Sequence, residues 1–583
     1  MAQRTQLGYP MRSRLLTGIS ILTLGCSAGP EEIARSTDNL DQGPPTYPCA
    51  SALGTEVTKH VWPADDGAGT VPRALLHTSR NVLSGPYVDA KEIWSEMGAL
   101  IESARYEVDL ETYEWGALFF ELDRDVLARD AGTIIANPKT ETPPSVDDPT
   151  AFLIGSLVRL EQRLRREQEN GTAAALPVRV HIAIDGLHRN SPLKEQLGNT
   201  AIFKARALHQ QLSQVNLDPS LVEVHVGAWE RMAGGALHSK LLVVDGYRAM
   251  VTGANPQEDQ MLSRNWHDSA YVVSGDAGRG LQAAFDDTWS NVSEARSCQL
   301  EGFDPAASSG FSCDLKSPKM IHHPEVLAPA IDEDAALAGA CTPVTLTTRR
   351  EVGTATIDPR DVTTPQDRAF IGLLSAAATT VKIETPNLNA PMAKDAIIAA
   401  LGRGVEVRII LPLGFNSDSE RKTISIPGKT LWSAGGSNED TIRELYARIA
   451  RTERCPLLDI RFYSRDGARP SFRQEKGWAT HTKYMSIDGL LAMVGSANQD
   501  VASWALARES NILVDNAETT KSWDERLFDR DWAMSIPART YALRILDGTA
   551  TKEGGETATQ EDLSVLFGGD PSGWARTALE ACE

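Results

Sequence analysis

The segment His238-Ser-Lys-Leu-Leu-Val-Val-Asp-Gly246 decides the fold, because its pattern returns as His481-Thr-Lys-Tyr-Met-Ser-Ile-Asp-Gly489. The first copy continues to Thr252-Gly-Ala-Asn255 and the second to Gly495-Ser-Ala-Asn498. In both copies Lys follows His by two residues, Asp follows Lys by five, and Asn follows His by 17. A single His-x-Lys is a frequent accident, but two copies that keep every spacing indicate a duplicated unit.

Each copy is predicted to form a β-hairpin. Residues i and i+2 of a strand point to the same face, so His238 projects with Lys240 and His481 with Lys483. Asp-Gly is a strong signal for a tight hairpin turn. Folding the chain back there brings each Asn to within a residue or two of its His. Each hairpin thus presents an imidazole, an ammonium and a carboxamide on one patch.

Six further positions are interpreted as support for these trios. Beyond each Asn, a carboxylate opens a short strand, and a carboxylate on the far imidazole nitrogen would fix the tautomer and stabilise the cationic ring. A solvated acid at the strand end is the alternative. The two carboxylates are Asp268 and Glu509. The other four positions are interpreted as turn or strand-end residues, and they are Asp245, Asp488, Gly253 and Ser496.

The sequence around the motifs repeats in the same order. In each half a helical pattern precedes a strand, and another helical stretch then precedes a β-rich segment. Strands that alternate with helices predict an α/β fold with a largely parallel sheet. The helical patterns are 90–105 and 367–378, the strands that follow are 106–113 and 381–386, and the β-rich segments are 178–186 and 405–412.

Two such trios facing each other suit a phosphodiester. An imidazole can attack phosphorus or move a proton, and the Lys and Asn groups can hold the non-bridging oxygens in the transition state. The positive charge that a metal would supply is already present, so we expect neither a metal nor a cofactor. The cysteine spacings do not resemble a zinc site either.

The paired motifs resemble those of the phospholipase D superfamily, whose signature is HxKxxxxD followed by GGxN or GSxN. The resemblance covers about 75–532, and the first copy departs where Thr252 replaces the leading Gly. It implies two pseudo-twofold-related αβα sandwich lobes, each with a mixed, largely parallel sheet, and an active site at the lobe interface. It also implies a phosphohistidine intermediate, with His238 as nucleophile and His481 as the acid that protonates the leaving alcohol. The near-identical copies leave these two roles open from the residues alone.

We expect a phospholipid-acting phosphodiesterase, either a phospholipase D or a phosphatidyltransferase. The segments 111–115 and 384–387 look like those of cardiolipin-synthase-type and bacterial phospholipase D enzymes. The expected partners are a phospholipid, a water or alcohol acceptor, and a membrane surface. A superfamily nuclease is the alternative, and a non-catalytic binding lipoprotein ranks last. Four tryptophans close to the motif segments either line a lipid-accessible mouth or belong to the core: Trp115, Trp229, Trp266 and Trp504.

The formal net charge of −20 lowers the expectation of broad nucleic-acid binding, because that affinity comes largely from neutralising phosphates. It also argues against adsorption to anionic membranes through bulk charge. Because one chain carries both half-sites, we expect a monomer.

The N-terminus predicts export. Arg12 and Arg14 precede an apolar run that is too short to span a bilayer, and the run ends in a lipobox-like Leu-Thr-Leu-Gly-Cys26. Lipidation of Cys26 would anchor an exported protein to a membrane, whereas ordinary cleavage after Ala28 would release it. The other six cysteines, an even number, suggest disulfides.

The predicted organisation has six parts. The adjacent His322 and His323 fall in the predicted linker and are interpreted as solvated. The parts are a signal peptide with a lipobox-like end (1–26), a flexible tether (27–70), a first lobe (71–300), a linker (301–343), a second lobe (344–546) and a C-terminal tail (547–583).

Overall fold

The structure is a computed structural model of the 583-residue chain. The described residues all fall within one compact unit, Pro44–Glu583. They are 49–62, 76–116, 148–172, 174, 176–185, 208, 211–229, 236–257, 260, 266–298, 313–316, 320–326, 340–350, 360, 364–426, 429–471, 479–552 and 555–581. The predicted signal peptide, with Cys26, lies outside them.

The secondary-structure elements are numbered here in chain order within the described residues. The strands are β1 His77–Thr78, β2 Asn81–Val88, β3 Glu107–Thr112, β4 Val178–Asp185, β5 Val222–Trp229, β6 Leu241–Val244, β7 Arg248–Thr252, β8 Ser269–Gly275, β9 Val292–Cys298, β10 Cys313–Lys316, β11 Val344–Leu346, β12 Thr380–Glu384, β13 Glu406–Leu411, β14 Thr423–Ile426, β15 Lys429–Ser433, β16 Leu458–Phe462, β17 Tyr484–Ile487, β18 Leu491–Gly495, β19 Asn511–Asp515 and β20 Ile536–Pro537. The helices are α1 Ala52–Val61, α2 Asp89–Ser103, α3 Pro149–Glu169, α4 Asp276–Trp289, α5 Pro365–Ala376, α6 Pro391–Gly402, α7 Ser417–Glu420, α8 Asn438–Ile449, α9 Val501–Ala505, α10 Ala517–Trp523, α11 Asp529–Met534, α12 Ala538–Leu546, α13 Gln560–Leu566 and α14 Pro571–Glu580.

The strands build two sheets of the same design. The first has the order β10-β9-β5-β4-β3-β6-β7-β8-β2, and the second has the order β1-β11-β19-β18-β17-β12-β13-β16-β20. The run β5-β4-β3-β6-β7-β8-β2 corresponds strand for strand to β16-β13-β12-β17-β18-β19-β11. The predicted duplicated α/β architecture is therefore confirmed.

Both sheets are mixed, as predicted, but their parallel part is smaller than expected. Parallel pairing joins β3 with β4 and β4 with β5 in the first sheet, and β12 with β13 and β13 with β16 in the second. The other paired strands of the two sheets run antiparallel, among them β6 with β7 and β17 with β18, which tight Asp-Gly turns connect. The alternation of helices and strands in the sequence therefore predicted a larger fraction of parallel strand pairs than the two sheets contain.

The two sheets share an apolar core. One cluster of buried side chains takes residues from both sheets, among them Val243 and Val251 of the first hairpin and Tyr484 and Val494 of the second. Burial of apolar surface is the main favourable term in folding, so this cluster holds the motif hairpins against each other. The position of the hairpins is therefore part of the folded core.

The predicted flexible tether contains a helix. Ser51 caps α1 by accepting from the N–H of Gly54 at 2.8 Å. Val57 and Val61, four residues apart, are fully buried in the core of the second half. A disulfide joins Cys49 to Cys341. The tether prediction is wrong for this stretch, because the Pro- and Gly-rich surroundings concealed a short amphipathic helix.

The predicted linker and tail also contribute structure. Strand β10, within the linker, extends the first sheet by pairing with β9, where Cys313 lies opposite Cys298. In the tail, α14 buries Trp574, whose indole N–H donates to the carbonyl of Glu439 at 2.9 Å. Cys455 is disulfide-bonded, and Cys582 lies outside the described residues. Within the part of the chain that the structure describes, no helix has the length and apolarity needed to cross a membrane.

Candidate active site

The two motif hairpins have matching turns. Asp245 and Gly246 have φ values of 52° and 75°, and Asp488 and Gly489 have values of 54° and 65°. Two successive positive φ angles define the hairpin turn that Asp-Gly favours. The strands pair as predicted, with β6 against β7 and β17 against β18.

The motif aspartates lie in these turns, and their carboxylates hold backbone. Asp245 accepts from the N–H groups of Arg105, Tyr106 and Glu107, and it also pairs with Arg248 at 2.8 Å. Asp488 accepts in the same way from the N–H groups of the three residues 378–380. Each aspartate therefore fastens its hairpin to the start of the neighbouring strand, β3 or β12. The spacing in the sequence did not reveal this function.

The catalytic candidates meet between the two halves of the chain. His238 Nδ1 lies 2.8 Å from Glu509 Oε1, and His481 Nδ1 lies 2.8 Å from Asp268 Oδ2. Each histidine is thus held by a carboxylate from the opposite half. An ionised carboxylate can only accept, so Nδ1 carries the proton in both rings and each Nε2 keeps its lone pair.

The lysines of both motifs are buried beside these rings. The ammonium groups of Lys240 and Lys483 donate to the carbonyl oxygens of His238 and His481, respectively. Burial, together with the like charge of Lys483, lowers the pKa of Lys240 to about 7. Burial lowers the pKa of Lys483 to about 8, although Asp268 and Glu509 oppose that shift. Burying two ammonium groups is unfavourable unless a negative charge compensates them, so the site favours the binding of an anion between the two lysines.

Both imidazoles are held neutral in the free protein. Burial lowers the pKa of His238, with Lys240 adding to the effect and Glu509 opposing it. Burial and the charges of Lys483 and Lys240 hold the pKa of His481 well below its usual range. A bound phosphate anion would offset the lysine charges and raise both pKa values.

The two orienting carboxylates differ in acidity. Burial raises the pKa of Asp268 to about 6, against the opposing charge of Lys483. Burial also opposes ionisation of Glu509, but the hydrogen bond from His238 and the charge of Lys240 outweigh it and lower the pKa of Glu509 to about 2. Glu509 is therefore a permanent anion near neutral pH, whereas Asp268 titrates just below it.

Both asparagines of the motifs lie at the site, with one end of each amide occupied. Asn255 Oδ1 accepts from the N–H of Glu114 at 3.3 Å, which leaves the amide nitrogen as the end that can donate to a substrate. Asn498 Nδ2 donates to Asp500 at 2.9 Å. A carboxamide nitrogen has two N–H groups, so one of those on Asn498 remains for a phosphate oxygen.

The remaining supporting residues also lie at the site. The hydroxyl of Ser496 donates to Glu509 Oε2 at 2.6 Å, so Glu509 links His238 to the second motif. Gly253 leaves no room for a side chain, because an added Cβ would lie 2.3 Å from Asp268 Oδ1 and 2.9 Å from Lys483 Cδ. A larger residue would displace the two charged groups next to it.

Two groups behind the carboxylates were not found from the sequence. Ser503 donates its hydroxyl to Glu509 Oε1 at 2.7 Å, and Gln260 donates its amide to Asp268 Oδ2 at 3.1 Å. Both residues lie five positions after the motif asparagine of their half, but the residue type changes from Gln to Ser, so the repeat did not single them out.

Aromatic rings flank the histidines. Tyr113 lies 5.3 Å from the ring of His238, and Trp266 lies 5.0 Å from the ring of His481, measured between ring centroids. Phe415 packs against Trp266 on the same side. Of the four tryptophans singled out in the sequence, Trp266 therefore borders the site. The other three belong to the core: Trp115, Trp229 and Trp504.

The expectation for the linker histidines is wrong. His322 Nδ1 lies 2.7 Å from Glu107 Oε1 and Nε2 lies 3.2 Å from Asp286, so the ring is paired with two acids and is not solvated. Those contacts raise its pKa to about 10, although burial opposes the shift. His323 is also buried, and its backbone N–H donates to Glu107 at 2.7 Å. The linker thus docks on the first sheet.

Two clusters of the described residues carry donor atoms of the kind that bind metals. One contains Glu107, Asp109 and His322, and the other contains His267, Glu384 and Asp531. In both clusters the two nitrogens of the histidine ring already face carboxylates. Neither cluster includes a residue of the paired motifs.

Parts of this chain are similar to known proteins. A family model described as "Cardiolipin synthase, PLD-like domain" matches residues 370–532. Phospholipase D of Streptomyces antibioticus is 26% identical over 351 residues, which cover 52% of this chain and 59% of that protein. Cardiolipin synthase of Clostridium perfringens (strain SM101 / Type A) is 24% identical over 300 residues, which cover 50% of this chain and 48% of that protein. The chain thus spans about half the length of these curated relatives.

Among solved structures, phosphatidylserine synthase of Haemophilus influenzae Rd KW20 aligns with a TM-score of 0.42 and 13% identity, covering 81% of this chain and 90% of that one. The family model itself falls on the half that contains the second hairpin, and the first half repeats that hairpin and its strand order. Residues 370–532 therefore match a PLD-like domain family, and about half of the chain is similar to phospholipase D and cardiolipin synthase.

Proposed function

We propose that this protein cleaves or transfers phospholipid diesters through a phosphohistidine intermediate. The observation that carries the proposal is the crossed pairing of His238 with Glu509 and of His481 with Asp268, with two buried lysines beside the rings. Two neutral imidazoles and two ammonium groups around one gap match the needs of a phosphorus that is attacked on one side and loses an alcohol on the other.

In the proposed first step, Nε2 of His238 attacks phosphorus and the bond from phosphorus to the leaving oxygen breaks. His481, protonated once the anionic diester is bound, gives its Nε2 proton to that oxygen. In the second step His481 takes a proton from water or an acceptor alcohol, whose oxygen attacks phosphorus and breaks the bond to His238. The lysine and asparagine N–H groups hold the non-bridging oxygens throughout.

The roles of the two histidines follow from their partners. A phosphohistidine carries positive charge on its ring, and Glu509, with a pKa of about 2, stays ionised to stabilise it. Asp268, with a pKa of about 6, is the stronger base of the two, so it holds the Nδ1 proton of His481 while the Nε2 proton of that ring comes and goes. His238 is therefore the proposed nucleophile and His481 the proposed acid and base.

The proposed substrate class is the phospholipid. Support comes from the relatives named phospholipase D and cardiolipin synthase, and from the aromatic rings of Trp266 and Phe415 beside His481, which suit an apolar substrate. The proposed setting is a membrane surface reached by export, with Cys26 as a lipid anchor. A nuclease acting on the same type of bond is the alternative outcome of the test.

The deciding experiment compares substrates on the purified protein in the presence of EDTA. Labelled phosphatidylcholine with ethanol should give phosphatidylethanol, with choline released. The His238→Ala variant, prepared in parallel, controls for contaminating enzymes. Cleavage of single-stranded DNA with phosphatidylcholine left intact would replace the lipid proposal with the nuclease one. Loss of activity in EDTA that returns with added metal would contradict the proposed chemistry.

A further inference from the structure

A buried basic residue stands directly before each orienting carboxylate. His267 precedes Asp268, and Arg508 precedes Glu509. His267 is fully buried and Arg508 is 4% exposed. Buried bases are rare unless they are paired, so the duplication points to a shared purpose.

The backbones of these two bases occupy equivalent places. His267 forms a parallel β-bridge with Thr480, and its carbonyl accepts from the N–H of His481 at 2.6 Å. Arg508 forms a parallel β-bridge with Leu237, the residue before His238. Each base thus lies on the opposite half from the catalytic histidine it adjoins, and its own neighbour orients that histidine.

The side chains of both bases also bind across the halves. Arg508 donates to Asp287 Oδ2 at 2.7 Å and to the carbonyl of Ala284 at 2.8 Å, both on α4 of the first half. His267 Nε2 lies 2.5 Å from Asp531 Oδ2 on α11 of the second half, and Nδ1 lies 2.7 Å from Asp89 Oδ1 at the start of α2.

His267 must be doubly protonated in this arrangement. Both ring nitrogens face carboxylate oxygens, and a nitrogen without a hydrogen would leave two acceptors in contact. Burial opposes the charge, but Asp531 and Asp89 hold the pKa of His267 well above its usual range. The charged or titratable groups around it are Asp89, Asp268, Glu384, Tyr463, Arg465, Arg530 and Asp531.

We propose that His267 is a positioning residue, an imidazolium that locks the two halves together and keeps Asp268 ionised behind His481, with Arg508 as its counterpart behind His238. The proposal rests on the proposed function. The charge on His267 lies within reach of Asp268 and favours the ionised carboxylate, and its backbone carbonyl fixes the strand that carries His481. The lock therefore acts on the geometry and on the charge of one catalytic pair.

The test uses His267→Gln in the full-length protein. Without the imidazolium, the pKa of Asp268 should rise, so the acid limb of the kcat/KM profile should move to higher pH. We expect kcat to fall by about 10–100-fold, the loss typical when the group behind an active-site ligand is removed, with KM nearly unchanged. The double variant His267→Gln/Asp531→Asn removes one negative charge as well, and should return the acid limb toward its original position.

A matched control separates this effect from simple destabilisation. His77 is also buried, but burial lowers its pKa to about 4 and it sits in β1, so His77→Gln should reduce stability without moving the acid limb. An unmoved limb in folded His267→Gln, or an equal shift in His77→Gln, would overturn the proposal.

A readout independent of activity distinguishes failure of the lock from failure of the proposed function. In ¹⁵N-histidine NMR, the resonances lost in His267→Gln should show an imidazolium at pH 7 and above, where a free histidine is already neutral, because two carboxylates raise the pKa of His267. If His267 is cationic but the protein has no phosphodiesterase activity, the proposed function is refuted, whereas the proposed contact of His267 between the two halves still stands. A neutral His267 ring at pH 7 would refute the positioning role of His267.

Discussion

His238 and His481 stand on near-copies of one hairpin, yet their surroundings are unequal. Glu509 receives hydrogen bonds from His238, Ser496 and Ser503 and remains ionised, whereas Asp268 titrates at a pKa of about 6. The spacing of the motifs made the six trio residues predictable, because a period-2 strand and an Asp-Gly turn fix where they point. It could not reveal this inequality, which arises from residues on other segments.

The unequal roles predict unequal responses to the leaving group. His238→Ala should lose at least about 10³-fold in kcat on any diester, because an absent nucleophile cannot be bypassed. His481→Ala should lose about as much on phosphatidylcholine but far less on a p-nitrophenyl phosphodiester, whose leaving group needs no proton. Exposed His60 provides a control, since His60→Ala should turn over both substrates normally. Equal losses for the two site variants on both substrates would contradict the role assignment.

The buried charges predict a bell-shaped profile of kcat/KM against pH. Activity should fall below about pH 6, where Asp268 takes up a proton and loses the charge that supports His481. It should fall again between about pH 7 and 8, where Lys240 and Lys483 lose theirs and an anionic diester binds less well. In Lys240→Arg the cation persists, so the alkaline limb should move up toward the pKa of Lys483. An alkaline limb that stays near pH 7 in that variant would exclude Lys240 as its source.

At the level of elements, periodicity predicted the helix-strand pairs α2–β3 and α5–β12 and the strands β4 and β13. It missed α1, and it missed β10 within the predicted linker, because both are short and lie in Pro- and Gly-rich surroundings. Neither has enough periodicity to be recognised, and each is stabilised by the larger unit on which it packs. The local sequence pattern thus predicts the long elements, whereas tertiary contacts determine whether the short elements form.

The hairpin turns predict a stability effect that is separate from catalysis. Asp245→Ala removes three backbone hydrogen bonds to a carboxylate and places Ala at a φ of 52°. We expect a loss of about 2–4 kcal/mol in the free energy of unfolding, measured by urea denaturation. Asp245→Asn tolerates positive φ and keeps an oxygen that can accept these hydrogen bonds, so it should lose less than Asp245→Ala. A variant with unchanged stability and turnover as low as that of His238→Ala would instead make Asp245 a catalytic residue.

On the scale of the whole molecule, the two halves are interlocked. Each supplies the carboxylate for the other's histidine, both contribute to one apolar core, and β1, which precedes the first sheet in the chain, pairs with β11 of the second. The sequence predicted a shared site from the duplication. It could not predict the exchange, because each carboxylate follows the motif of its own half in the sequence, and only the folded interface shows that it reaches the histidine of the other half.

The Cys49–Cys341 disulfide completes this interlocking, since it fastens the segment before α1 to the residues before β11 across a separation of 292 residues. Closing so long a loop restricts the unfolded chain, and the expected stabilisation from loop closure is about 6 kcal/mol. The Cys49→Ser/Cys341→Ser variant should therefore unfold at a clearly lower urea concentration. Ser51→Ala, which removes only the cap of α1, should cost about 1 kcal/mol. If the two variants lose equal stability, the disulfide acts only by holding α1 in place. A larger loss in the cysteine variant means that the cross-link restrains the unfolded chain as a whole, and kcat at 25 °C should then stay near that of the parent protein because the site itself is untouched.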